Sequence, residues 1–297
     1  MKVHPACMPF SPIAFGLWRL HEWNLSTSEL IHLIEECIEL GITTFDHADI
    51  YGSYGNEELF GYALKERPDL REKIELVSKC GIALVTQTRS EHRIPHYNTT
   101  SAWIRNAAEQ SLRKLNTETL DLLLIHRPDP LMDATDVADV LTKLHNEGKV
   151  QNIGVSNFTP AQFDLLQSRM DISLVTNQVE FSLLNTRPVY DGTFDQAQRL
   201  QFSPMVWSPF AGGNLFTSTS QQAGRVRSVL HQLSLKYEAA MDQIALAWIR
   251  QLPCKPLPVI GTGRIDRIMG AAGSLDVRLE RQDWYHLLQA SNGHPVP

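Results

Sequence analysis

Apolar residues fall along the chain in two alternating rhythms. Short continuous runs, β-branched or Leu-rich and bounded by Gly or polar residues, occur at Ile13–Trp18, Ile42–Phe45, Ile74–Ser78, Leu120–Ile125, Asn152–Val155, Leu174–Gln178, Pro204–Trp207 and Leu257–Ile260. Runs this short and this uniformly apolar suit strands buried on both faces of a parallel sheet. Between them the apolar positions take a helical period. Leu30, Ile34, Cys37 and Ile38 share one face of a segment that opens on Ser26 and Glu29, a capping box, and stops at Gly41. Ile104, Ala108, Ser111, Leu112 and Leu115 do the same within Ser101–Leu115, and Asp133–Glu147 follows the pattern up to Gly148.

Eight strand candidates alternating with helices, with no linker, repeat or composition break, predict a single domain over 1–297 of α/β class, a (β/α)8 TIM barrel. A doubly wound open sheet is the competing reading of the same alternation. The longest connections, Gly81–Thr100 and Ser208–Gly224, both follow strands. In a barrel they would lie on the C-terminal face, where active sites are built.

Composition narrows the class further. The 297 residues carry 27 Lys+Arg against 33 Asp+Glu, a formal charge of −6 with 43% hydrophobic content. That is ordinary globular composition and lacks the basic surplus of a nucleic-acid-binding domain. No apolar stretch is long enough to span a membrane, and Met1–Pro12 has no apolar core of a signal peptide. Cys7, Cys37, Cys80 and Cys254 are widely spaced, which reads as free thiols in a reducing, cytoplasmic setting. A G-x-G-x-x-G after a strand, a Walker A loop, H-E-x-x-H and G-x-S-x-G are all missing from the sequence. His92 and His96 are four apart, but Pro95 lies between them and no third ligand is near, so they are read as loop residues and no metal site is expected.

Chemistry gathers where the apolar runs stop. The second run ends in Asp46-His47-Ala48-Asp49-Ile50-Tyr51-Gly52, the third in Ser78-Lys79-Cys80-Gly81 and the fourth in Ile125-His126-Arg127-Pro128. A phenol with an ordinary pKa near 10 is a poor proton shuttle at neutral pH. A neighbouring lysine stabilises the phenolate, and an aspartate keeps that lysine charged and fixed. A neutral histidine can donate a hydrogen bond to an incoming carbonyl oxygen. Asp46, Tyr51, Lys79 and His126 thus form a set suited to carbonyl reduction by general acid catalysis, with the hydride supplied by a cofactor.

Asp46-x-Ala48-x-x-Tyr51-Gly52, Ser78-Lys79 and Leu124-Ile125-His126 resemble the signature stretches of the aldo-keto reductase superfamily. Gly154-Val155-Ser156-Asn157-Phe158, Asn177-Gln178, Trp207-Ser208-Pro209-Phe210 and Ile260-Gly261-Thr262 follow in the family's order, so the resemblance spans about residues 10 to 275. Leu124–Pro130 and Leu257–Arg267 are similar in particular to its bacterial YdhF-like branch. The resemblance implies that Tyr51 is the general acid, Lys79 and Asp46 its tuning pair, and His126 the residue that orients the carbonyl. It implies NADPH/NADP+ as cofactor: Ser156, Asn157 and Gln178 on the nicotinamide carboxamide, Trp207 stacked on the ring, and Ser208, Phe210, Gly212, Gly213 and Leu215 in a strap over the pyrophosphate. Gly16 borders the nicotinamide and Trp18 the substrate. Gly261 and Thr262, with Arg264 and Arg267 at the start of the last barrel helix, are expected at the 2′-phosphate end. Two places depart from the family's pattern: Gly261 stands where many members have a basic residue, and Gly270 and Ala271 stand where a Glu-Asn pair often contacts adenine.

The expected partner is a small carbonyl compound, with no nucleic acid and no membrane, and a monomer is the expected state. Two other readings compete with the reductase. One is a cofactor-binding redox-sensing or regulatory subunit with little turnover. The other is a phosphate-binding barrel of unrelated chemistry, which would make the four-residue set accidental. Substrate identity has no readable code in Gly81–Thr100 or Arg281–Pro297.

Overall fold

Eight short parallel strands carry the architecture in a computed structural model that describes residues 10–87, 89 and 92–295. They are β1 (Ala14–Gly16), β2 (Thr44–Asp46), β3 (Glu75–Cys80), β4 (Leu120–Ile125), β5 (Val150–Ser156), β6 (Leu174–Glu180), β7 (Met205–Trp207) and β8 (Leu257–Ile260). Their hydrogen-bonded order is β1-β8-β7-β6-β5-β4-β3-β2, a closed barrel. The predicted (β/α)8 fold is the observed one, and the open doubly wound sheet is set aside. Each strand overlaps one of the eight predicted apolar runs. β4 shows why the runs are continuous: five of its six residues are buried, since one face meets the barrel interior and the other the helical layer.

The helices begin and end by the chemistry their sequences carry. Ser26 caps Thr27–Glu39 in a full capping box with Glu29, and Leu30, Leu33, Ile34 and Cys37 are buried along it. Thr100 caps Ser101–Lys114, whose buried face is Ile104, Ala107, Ala108, Ser111 and Leu112. Asp133 caps Ala134–Asn146. The connection Gly81–Thr100 holds an antiparallel pair, Ile82–Ala83 with His96–Tyr97, that the apolar pattern does not announce. The second long connection contains the four-residue helix Asn214–Thr217 and runs into the helix Gln221–Tyr237.

Strand register decides what reaches the barrel mouth. Gly16 pairs with Asp46, Asp46 with Val77, Lys79 with Leu124, Ile125 with Val155, and Ser156 with Gln178. Asp46, Lys79, Ser156 and Gln178, with His126 directly after β4, therefore come toward the C-terminal edge. Gly154 permits this packing within β5, since a Cβ there would meet Leu124 Cδ2 at 2.7 Å and the Thr176 carbonyl oxygen at 2.9 Å.

The chain groups into two compact units. The first is the chain up to Gln178 with Gly261–Gly263. The second is Val179–Ile260 with Arg264 onward. The first contains Ala14–Gln178 of the strand set, and the second contains β7, β8 and the helices Gln221–Tyr237, Met241–Arg250, Ile265–Gly273 and Arg281–Asn292. In the second unit the last helix is locked by two stacked indoles: Trp248 and Trp284 lie 5.1 Å apart, and each donates its ring N–H to the other's backbone carbonyl. No helix among the described residues is long and apolar enough to cross a membrane. Cys37, Cys80 and Cys254 are free and buried, and Cys7 lies outside the described residues.

Candidate active site

Lys79 is fully buried, and a lysine ammonium there must find acceptors for all three of its N–H bonds. Each is met. Lys79 Nζ donates to Asp46 Oδ2 at 2.8 Å, to the His47 carbonyl at 2.7 Å and to Tyr51 Oη at 3.2 Å. The second oxygen of Asp46 accepts from Gln178 Nε2 at 2.8 Å. Burial works against the ammonium, but Asp46 and Tyr51, by charge and hydrogen bond, hold Lys79 above its ordinary value. Since Tyr51 Oη accepts from Lys79, its own proton is left to point away from the ammonium.

The sequence suggests that Lys79 lowers the Tyr51 pKa. Its pull is present, but burial acts more strongly and the phenol sits above its ordinary value, with Lys79 and Arg127 drawing it down and Asp46 pushing it up. His126 lies edge-on to Tyr51 with ring centroids 6.0 Å apart. Burial, then the Lys79 and Arg127 charges, hold His126 well below its ordinary pKa, so the imidazole is neutral at physiological pH. Its buried Nδ1 has no partner among the described residues.

The residues assigned to the carboxamide join the same network. Ser156 Oγ donates to the Gln178 carbonyl at 2.9 Å, and Asn157 Nδ2 donates to Ser156 Oγ at 2.8 Å and to the His126 carbonyl at 3.3 Å. Asn157 takes a φ of +60°, which turns the chain as it leaves β5. Gly16 ends β1 beside Asp46, and a Cβ on Gly261 would lie 3.5 Å from the Gly16 carbonyl. Trp18 is 58% exposed, and its carbonyl accepts from Asn56 Nδ2 at 3.0 Å.

The other candidates belong to the second unit and are described there by themselves. Trp207 ends β7. Ser208, Ala211, Gly212 and Gly213 have φ of +52°, +51°, +65° and +101°, and Leu215 is buried. Phe210 packs on Phe216 at 5.6 Å. A tight turn can aim successive backbone N–H groups at an anion, and Gly212 and Gly213 have open space where a Cβ would stand. That geometry fits a pyrophosphate strap. Arg264 is the N-cap of Ile265–Gly273 and forms a two-point ion pair with Asp266, at 3.0 and 2.6 Å. Arg267 is exposed in the first helical turn; Thr262, which belongs to the first unit, is half-buried.

Sequence reasoning misses several partners. The His47 carbonyl is a backbone group that any residue at that position would supply. Gln178, expected at the cofactor, also fixes Asp46. Ser78 Oγ donates to Glu57 Oε1 at 2.6 Å, a buried pair next to Lys79. Here a signal exists, because Ser78 and Cys80 flank an inward Lys79 and must face the helical layer. His92 and His96 each engage a backbone carbonyl through Nδ1, at 2.8 and 3.0 Å, and no group of three metal-ligating side chains occurs among the described residues.

Comparison with known proteins gives one family. The Aldo/keto reductase family model matches residues 12–292. Oxidoreductase YdhF of Escherichia coli is 49% identical over 298 residues, covering 100% of this chain and 99% of the relative. A 6-dehydroglucose reductase of Agrobacterium fabrum is 42% identical over 290 residues, with 97% of each chain covered. Among solved structures, an aldo-keto reductase of Bacillus halodurans in its holo form superposes with a TM-score of 0.80 at 22% identity, covering 97% of this chain and 94% of that one. An aldo/keto reductase of Klebsiella pneumoniae in complex with NADP and acetate gives 0.76 at 24% identity, covering 97% and 93%.

Beside the site, His47 has 0% exposure and both ring nitrogens unpartnered among the described residues, with its ring 4.6 Å from Phe60. Burial first and Lys79 second hold its pKa down at about 3. The unfolded chain, with a histidine pKa near 6.5, therefore takes up this proton first. Stability is full above that value and is lost as pH falls, by about 1.4 kcal/mol per pH unit for one proton. Denaturant titrations between pH 7 and pH 5 should show His47→Asn with a mean pH slope about 0.7 proton shallower than wild type; equal slopes would show that His47 is not held neutral.

Proposed function

The chain belongs to the aldo/keto reductase family, and from that premise we propose that it reduces aldehyde or ketone carbonyls to alcohols with NADPH, using Tyr51 as proton donor. One observation carries the reading: the buried Lys79 ammonium spends its third N–H on Tyr51 Oη at 3.2 Å, so the phenol proton is directed away from it. When bound, the nicotinamide supplies a hydride to the carbonyl carbon. Tyr51 gives its proton to the carbonyl oxygen and becomes a phenolate, which the adjacent ammonium stabilises. His126, neutral, donates a ring N–H to the same oxygen and orients it. Asp46, fixed by Gln178, keeps Lys79 charged and in place through the transfer.

Ser156, Asn157 and Gln178 would hold the carboxamide, Trp207 the ring face, Ser208 to Leu215 the pyrophosphate, and Arg267 with Thr262 the 2′-phosphate, while Gly16 and Trp18 would border the reacting centre. The ion pair of Arg264 with Asp266 makes Arg267 the principal phosphate ligand in this reading. The closed strand order supports one barrel domain over the chain. The free cysteines support a reducing compartment.

An NADPH-oxidation screen should show turnover of reactive aldehydes such as methylglyoxal or nitrobenzaldehydes; the panel should also hold ketones, quinones and sugars, among them 6-dehydroglucose, named for the Agrobacterium relative. Tyr51→Phe should lower kcat by roughly 10²–10⁴-fold and leave cofactor affinity nearly unchanged. A loss below about threefold would remove Tyr51 as the donor, and tight cofactor binding with no turnover on any carbonyl would favour the regulatory reading.

Arg recognises phosphate through a planar fork of donors, and such charge-assisted bonds are worth roughly 1.5–3 kcal/mol. Arg267→Ala should therefore weaken NADPH binding by about ten- to a hundredfold and change NADH little. Equal losses for both cofactors, or a preference for NADH in the wild type, would contradict the assignment.

A further inference from the structure

Tyr51 opens a turn that L-amino acids resist. Gly52, Ser53 and Tyr54 follow it with φ of +57°, +53° and +75°. Two of the three have a Cβ, so the turn persists only where its surroundings hold it. Lys79 cannot follow a moving tyrosine, because it is buried in β3 and tied to Asp46 and the His47 carbonyl. The 3.2 Å approach of Tyr51 Oη to Lys79 is therefore set from the turn side.

The turn is gripped from outside the barrel. The Tyr54 carbonyl accepts from Lys114 Nζ at 2.7 Å, across a sequence separation of 60 residues. The Tyr54 hydroxyl accepts from the Leu84 amide at 2.9 Å, and the Arg89 guanidinium lies 4.0 Å from the Tyr54 ring centroid. A lysine in the last turn of a helix ordinarily serves its own helix's carbonyls and dipole. Lys114 instead crosses to a neighbouring element, and its backbone is placed for this. The helix Asn56–Glu66 approaches so closely at Gly61 that a Cβ there would lie 1.8 Å from the Lys114 carbonyl oxygen. Glu57, the residue that accepts from Ser78, lies in the first turn of that same helix Asn56–Glu66. The helix Ser101–Lys114 thus reaches the turn after Tyr51 with the lysine of its last turn.

We propose that Lys114 is a positioning residue for proton transfer: by holding the Tyr54 carbonyl it fixes the left-handed turn that aims the Tyr51 hydroxyl at Lys79. This rests on the reading of Tyr51 as proton donor. Lys114 acts through the Tyr54 carbonyl, and the step it serves is the one already written, with the phenol O–H breaking and the alcohol O–H forming.

Hydrogen–deuterium exchange on the full chain supplies a test that needs no turnover. The Tyr54 and Gly55 amides bond back to the Ile50 and Tyr51 carbonyls at 3.3 and 3.1 Å, so they report whether the turn stays closed. In Lys114→Met the peptide over Tyr51–Asn56 should exchange at least about tenfold faster than in wild type while strand peptides keep their rates. In kinetics kcat should fall by about ten- to a hundredfold, as small misplacements of reacting groups do, with KM for the carbonyl within about twofold. Lys114→Arg, which keeps a long donor, should recover most of kcat and the slow exchange. If Lys114→Met does not fold, Lys114→Gln is read in the same way. Unchanged exchange at the turn, or a kcat loss that arginine does not relieve, overturns the proposal. If the turn loosens as expected but the wild-type protein reduces no carbonyl, the reductase reading fails and the bracing by Lys114 stands.

Discussion

Everything at the barrel mouth is arranged around one constraint: a buried ammonium has three N–H bonds and must satisfy all of them. Lys79 does so with a carboxylate, a backbone carbonyl and a phenol. The carboxylate has to be fixed, so Gln178 holds its other oxygen. The carbonyl has to come from His47, which commits the chain leaving β2 to one path and leaves the imidazole against Phe60 with no hydrogen-bond partner among the described residues. The phenol has to come from the third direction, and the chain reaches it through a left-handed turn. A buried ion pair is weak evidence for stability, because desolvation offsets most of the attraction. The arrangement makes better sense as chemistry, since it keeps a cation beside the hydroxyl proposed as the proton donor.

A second buried polar layer lies on the other side of β3. Strand alternation sends Lys79 inward and Ser78 and Cys80 outward, and there Glu57 and Asp49 are buried with one oxygen each lacking a partner among the described residues. Burial pushes both carboxyls up, each raises the burden on Cys80, and Lys114 draws both down. So Lys79 sits between two polar layers. The inner one holds Asp46, Tyr51 and Gln178, and the outer one holds Ser78, Glu57 and Asp49.

The fold is largely legible in the sequence because a barrel strand is buried on both sides and writes itself as an uninterrupted apolar run. The eight runs mark the eight strands, and Ser26 with Glu29, Thr100 and Asp133 mark helix starts by side-chain chemistry. The pair Ile82–Ala83 with His96–Tyr97 is not legible: two residues a side carry no alternation to detect, and His96 and Tyr97 are exposed. In the site, residue types suffice to single out Asp46, Lys79 and His126, each directly after an apolar run, and Tyr51 five residues beyond Asp46. The His47 carbonyl cannot be found that way, because a backbone acceptor leaves no mark on composition. Gln178 lies 132 residues from its partner Asp46, a pairing only the closed strand order reveals. The net direction of the Tyr51 pKa is misread from sequence for a similar reason, since charge partners can be read there and depth of burial cannot.

The coupling of Lys79 to Tyr51 is best tested by titrating that one phenol. The tyrosinate absorbance of Tyr51 can be isolated as the difference between a protein and its Tyr51→Phe counterpart, in the wild-type and Lys79→Met backgrounds. If the ammonium stabilises the phenolate, its removal leaves burial unopposed and the Tyr51 pKa rises further above its already raised value. A Tyr51 titration that is unchanged, or that moves down, when Lys79 is replaced would contradict the role assigned to that lysine.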